Sequence, residues 1–208
     1  MRVGILNLPF DNNYGGNLQR YALARVLWEM GHDVKHINLR NSYCLPFYKK
    51  PYCYAKRLLM KLLGSKSSIF LEQERKREDE RMEINAQKFY ERYVSHTRAV
   101  YGVKEIGQVC RENKFQAVVV GSDQVWRNGM VKGVLGLNNY MLGFIHDEHI
   151  KKIAYAVSLG TEQRLGSAQV QRYSKFYNKF SAVSVRESQS VALFDEYGWT
   201  EPRAQHVL

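Results

Sequence analysis

The sequence predicts an α/β fold: a Rossmann-like parallel sheet with flanking helices. Three observations predict it. Apolar runs of strand length recur, as at Val3 to Leu6, Gln116 to Val120 and Ile153 to Val157. Segments with helical spacing of apolar residues alternate with them. The runs end in polar or glycine-bearing loops, the pattern of parallel strands joined by right-handed helical crossovers. The 208 residues are 45% hydrophobic and 25% charged, which excludes wholesale disorder and allows one large domain, or one domain and part of a second.

Val3 to Leu6 reads as the first strand, and Asn7 to Gly16 as a polar loop. A helix is predicted from Asn17 to Met30. Leu18, Ala22, Val26 and Met30 fall at i, i+4 spacing and form its expected apolar face, with Leu23 and Leu27 beside them. Gly31 is placed to stop the helix. Val34 to Leu39 reads as the second strand.

Residues 43–100 interrupt this alternation as a helical excursion. Pro51 to Leu63 reads as a short amphipathic helix, with Tyr54, Leu58, Leu59, Leu62 and Leu63 against Lys56, Arg57 and Lys61. Packing against the core is one reading of it. Resting on an anionic membrane surface is the other. Glu72 to Tyr93 is dense in Glu, Lys and Arg and reads as a solvated helix laced with i, i+4 ion pairs.

The α/β pattern resumes at Val103. Lys104 to Asn113 suits a helix, and Gln116 to Val120 a buried strand that ends in Gly121-Ser122-Asp123-Gln124. Ile153 to Val157 ends in Ser158-Leu159-Gly160. A helix around Ala168 to Phe180 leads to Ala182 to Val185, which ends in Arg186-Glu187. Ser188 to Tyr197 is the last helix. One more strand begins at His206-Val207-Leu208, where the sequence stops, so a truncated chain is expected.

The formal net charge of +11 points to an anionic partner. The charge is spread and no nucleic-acid module is visible, so nucleic acid is not the expected partner. Cys44, Cys53 and Cys110 form no CxxC, which argues against a disulfide framework or a zinc site. The six histidines show no metal-ligand spacing, and no metal is expected. There is neither a signal-peptide pattern nor an apolar run of about 20 residues, and a cytoplasmic chain is expected.

In open α/β sheets ligands bind at the carboxyl ends of the strands. Four segments fall there. Asn13, Tyr14, Gly15, Gly16, Asn17 and Gln19 belong to the first; its glycines permit close approach to a ligand or a tight turn, and Asn17 is the expected cap. It is neither GxGxxG nor a Walker A loop. The second holds Gly121, Ser122, Asp123, Gln124 and Trp126. Asp123 suits a general base or a sugar-orienting carboxylate, or else it or Ser122 caps a turn. Trp126 either stacks on a sugar or joins the core. Ser158 and Gly160 form the third, and Arg186 and Glu187 the fourth. There a guanidinium grips a carboxylate or phosphate, or pairs with Glu187. Asp123 and Arg186 are the catalytic candidates, and the other residues of these four segments are substrate-binding candidates.

RVGILNLPFDNNYGGNLQRYALARVLWEMGHDV, VVVGSDQVW, KKIAYAVSLG and FSAVSVRESQSVALFDEYG together resemble the polysaccharide pyruvyl transferase family, in order and spacing over nearly the whole chain. The resemblance implies a GT-B-like fold of two Rossmann-like domains facing across a cleft. Residues 1–208 would be the N-terminal one, with 43–100 as an insertion. It implies transfer of a pyruvyl group from phosphoenolpyruvate to sugar hydroxyls of a bacterial surface glycan, with no further cofactor. Arg186 matches a donor-contacting arginine by motif position, and the Asn13–Gly16 and Gly121–Gln124 loops fall on the acceptor side. The second domain, with the family's catalytic histidine, is expected to be absent, because no histidine here matches that motif. The alternatives are a non-catalytic glycan- or partner-binding fragment and, more remotely, a GT-B transferase using a nucleotide sugar.

Overall fold

A computed structural model describes residues 1–43, 45, 47–66, 68–131, 135–160 and 164–207. Leu208, the end of the last expected strand, and Cys44 lie outside the described residues. Six parallel strands form one sheet: β1 (Arg2–Leu6), β2 (Asp33–His36), β3 (Ala117–Asp123), β4 (Lys151–Val157), β5 (Ala182–Val185) and β6 (Gln205–His206). Their spatial order is β2-β1-β3-β4-β5-β6. The chain starts in the middle, steps outward to β2, then crosses back to β3 and proceeds the other way. The reversal puts a topological switch point between the carboxyl ends of β1 and β3, where open α/β sheets bind ligands.

The central strands are apolar because both of their faces are covered. Val118 and Val120 of β3 face one core with Leu6, Ile106, Val109, Tyr177 and Phe194. Ala117 and Val119 face the other, with Val3, Ile5, Val34 and Leu23. Alternation along the strand distributes them between the two cores. Helices α4 (Val103–Glu112), α7 (Ser167–Tyr177) and α8 (Ser188–Glu196) supply residues to the larger core, and α1 (Tyr14–Glu29) to the smaller.

Helix α1 differs from expectation in two ways. It begins at Tyr14, and its cap is Asn13, whose Oδ1 accepts from Gly16 N at 3.2 Å. Asn17 lies inside the helix. The buried stripe is Asn17, Arg20 and Leu23, with Ala24 and Leu27 packed beside it. Leu18, Val26 and Met30 are exposed. The polar pair Asn17–Arg20 faces inward because it satisfies the carbonyls of the preceding loop, and this turns the more apolar stripe outward.

Between β2 and β3 the chain forms a short 3-10 turn (Phe47–Lys49), α2 (Lys50–Leu62), α3 (Leu71–Tyr93) and α4. Helix α3 is mostly solvated, as its charge pattern predicts. Its Ala86 and Tyr90 pack with Phe10 and Val94 in a small third core. Two short helices missed in the sequence, α5 (Asn128–Val131) and α6 (Leu137–Tyr140), connect β3 to β4. Each has only four residues, too few for an apolar period to show. No helix among the described residues is long and apolar enough to cross a membrane.

Candidate functional site at the strand ends

The parallel sheet brings the predicted segments of β3, β4 and β5 to one rim. Asp123 ends β3 in a left-handed conformation, with φ +117°. Only a surrounding structure that over-determines it holds a non-glycine residue there, and such strain concentrates at functional sites. Asp123 Oδ1 accepts from Gln124 N at 2.7 Å. Its backbone carbonyl accepts from Val125 N at 2.8 Å and from Ser158 N at 3.0 Å, which ties the β3 loop to the end of β4. Gly121 is required near the end of β3: its φ is +123°, and a Cβ would lie 2.0 Å from the Tyr155 carbonyl oxygen.

Ser158 is fully buried. Its Oγ donates to Glu187 Oε1 at 2.8 Å and accepts from Gly160 N at 3.1 Å. Glu187 is the N-cap residue of α8. Arg186 lies across it, with Nε donating to Glu187 Oε1 at 3.0 Å and Nη1 3.9 Å from Asp123 Oδ1. Thus Asp123, Ser158, Arg186 and Glu187 form one connected group. The Arg186 side chain is 41% exposed, so its guanidinium still has an open side toward solvent. Among the described residues Glu187 Oε2 is buried without a hydrogen-bond partner, although a carboxylate oxygen in such a place normally has one. Arg127, absent from the sequence reading, extends the group. It donates to Gln124 Oε1 at 2.9 Å and covers Gly160, whose Cβ would meet Arg127 Cδ at 3.0 Å.

A buried relay supports this rim from behind. Tyr90 of α3 hydrogen-bonds His36 Nδ1 at 2.6 Å, and His36 Nε2 meets Asn7 Oδ1 at 3.0 Å. Asn7 Nδ2 donates to the Gly121 carbonyl. Because Asn7 Oδ1 only accepts, Nε2 carries the proton and Nδ1 accepts from the tyrosine hydroxyl. Burial holds His36 well below its ordinary pKa, and Arg20, His96 and Arg40 add to that. It is therefore neutral at pH 7. Arg20 is buried too, donating to Asn17 Oδ1 at 2.6 Å and to the Leu8 and Pro9 carbonyls at 2.9 Å each. Burial lowers its pKa, while Asp11, Tyr90, Asp123 and Tyr140 raise it. Arg20 thus fixes the loop after β1.

A family model of polysaccharide pyruvyl transferase matches residues 13–208. The chain belongs to that family. No curated protein and no solved structure gives a match.

Against this family background the candidate residues sort by position. Asp123, Gln124, Ser158, Gly160, Arg186 and Glu187 converge, and Gly121 and Ser122 of β3 lead into Asp123. Asn13, Tyr14 and Gly15 are exposed in the first turn of α1, with Gln19 half-buried one turn on. Gly16 N is occupied by the Asn13 cap, and Asn17 donates to the Asp11 carbonyl, so these two build the loop. Trp126 is a correction. It is fully buried, its Nε1 donates to the Tyr140 carbonyl at 3.1 Å, and its ring contacts Tyr177, Phe180 and Phe194. It has no face to offer a sugar.

The sequence reading missed Asn7, Arg20, His36, Tyr90 and Arg127. Arg20 lies off the apolar face that spacing predicts for the helix, so its burial has no signal in the periodicity. His36 and Tyr90 carry none, being 54 residues apart. A separate cleft of about 790 Å³ lies between α3 and the chain following β2. Its walls carry charges of both signs, Asp79, Glu80, Glu83 and Glu91 together with Arg40 and Lys76.

Proposed function

We propose that this chain is the donor-binding half of a pyruvyl transferase that uses phosphoenolpyruvate and acts on sugar hydroxyls of a surface glycan. The convergence of Asp123, Ser158, Arg186 and Glu187 beside the switch point, in a chain of this family, is the observation that carries the reading. Arg186 presents a planar guanidinium suited to a carboxylate or phosphate. Ser158 and Glu187 fix its position, and Asp123 stands beside it as the acceptor for a hydroxyl proton. The Asn13–Gly16 segment at the start of α1 and the Gly121–Gln124 segment at the end of β3 line the acceptor side. A second Rossmann-like domain, in a GT-B-like arrangement, closes the cleft from the other side.

The reaction balances as follows. The first sugar oxygen bonds to C2 of the donor while the methylene carbon takes a proton from solvent and becomes a methyl group, which gives a tetrahedral C2 that still carries phosphate. Phosphate leaves with the electron pair, and cationic groups such as Arg186 stabilise that charge. As that phosphate departs, a second hydroxyl of the same sugar bonds to C2, closes the cyclic ketal and gives its own proton to solvent. The hydroxyl proton passes to Asp123 and on to solvent or phosphate.

Phosphorus NMR of phosphoenolpyruvate mixed with the chain and a panel of saccharides tests the reading. Broadening of the phosphoenolpyruvate signal on binding, abolished by Arg186→Ala, is the expected result. Saccharide binding with neither phosphate release nor donor binding would favour a non-catalytic glycan-binding fragment instead.

A further inference from the structure

We infer that α2 and the turn before it form a docking surface for an anionic phospholipid bilayer, lying in the membrane interface rather than crossing it. Helix α2 has no buried residue. Tyr52, Leu59, Leu62 and Leu63 share one face by helical spacing, and they are 70%, 59%, 77% and 75% exposed. Phe47, 88% exposed, continues the apolar surface into the preceding turn. Large side chains gathered this way on one exposed element mark an interaction site.

Charge selects the partner. No acidic residue occurs between Asp33 and Glu72, while Lys49, Lys50, Lys56, Arg57, Lys61 and Lys66 fall in and around α2. Arg57 is spent on an ion pair with Glu72, 2.6 Å at each of two contacts. That pair and the Tyr54–Phe70 ring contact at 5.5 Å anchor the inner side of α2 to α3. The lysines therefore remain around an outward apolar stripe, and an amphipathic helix of this composition seats in an anionic lipid interface. A second copy of the chain is disfavoured, because two such faces repel each other. The inference does not rest on the transferase reading.

Vesicle flotation of the full chain tests it. Vesicles of phosphatidylglycerol mixed equally with phosphatidylcholine should carry the chain at physiological salt, and pure phosphatidylcholine should not. Leu59→Ser/Leu62→Ser should lower the bound fraction by roughly tenfold or more, since two exposed side chains no longer enter the lipid. Lys49→Gln/Lys56→Gln should weaken binding mainly at low salt. Circular dichroism confirms that the variants are folded, since all four side chains are exposed. Failure to float with the anionic vesicles, or binding that neither variant weakens, overturns the proposal. So does a concentration-dependent dimer, seen by light scattering and abolished by the leucine variant, in a chain that does not float.

Discussion

Ser158 Oγ donates to Glu187 Oε1 at 2.8 Å, joining the carboxyl end of β4 to the cap of α8. The same oxygen accepts from Gly160 N, so one buried hydroxyl organises two strand ends. Ser158→Ala leaves both partners short of a bond inside the protein. The expected cost is about 1–3 kcal/mol of unfolding free energy, read by urea denaturation. Phosphoenolpyruvate affinity should fall as well, because Glu187, which pairs with Arg186, is then held by one hydrogen bond fewer. Unchanged affinity in the folded variant would separate Ser158 from the donor site.

His36 predicts a pH dependence of stability. Its folded pKa is depressed by burial below the ordinary 6.5. In the unfolded chain it takes up a proton as pH falls through 6.5, whereas the folded chain does not. Stability is therefore full above that value and declines below it, with a limiting slope of about 1.4 kcal/mol per pH unit. Denaturation midpoints measured from pH 7.5 to 5 check this, with His36→Gln expected to flatten that component of the profile. An identical profile in the variant would contradict the neutral relay.

Gly121→Ala should be severely destabilising. A Cβ at this position meets the Tyr155 carbonyl oxygen at 2.0 Å, on a backbone at φ +123°. The expected loss is about 3 kcal/mol or more, read as the drop in thermal midpoint. A variant of ordinary stability would show that the end of β3 has another conformation.

Trp126→Ala should cost about 3–5 kcal/mol, as for other large core truncations. Trp126→Phe should recover most of the stability while losing the bond to Tyr140. In the folded Phe variant, saccharide affinity should equal that of the parent chain. A selective loss of saccharide binding would return Trp126 to the site.

The sheet was legible because its central strands are uninterrupted apolar runs such as Val118 to Val120, and their loops are polar. Parallel order then placed Asp123, Ser158 and Arg186 on one rim without further information. Three features were not legible. The inward face of α1 depends on hydrogen bonds from Arg20 to the Leu8 and Pro9 carbonyls, which periodicity does not register. The relay from Tyr90 through His36 and Asn7 to Gly121 joins four distant parts of the chain, so no local pattern announces it. Trp126 looked alike as a stacking platform or a core residue until Tyr177 and Phe194 were placed against it.

The central claim is that the rim at β3, β4 and β5 binds the donor through Arg186. Calorimetric titration of phosphoenolpyruvate into the chain and into Arg186→Ala tests it most directly. The account predicts saturable binding by the parent chain and its loss, by roughly tenfold or more, when the charge-assisted contacts of Arg186 are removed. Equal affinity in the two proteins, or no binding by either, would contradict it.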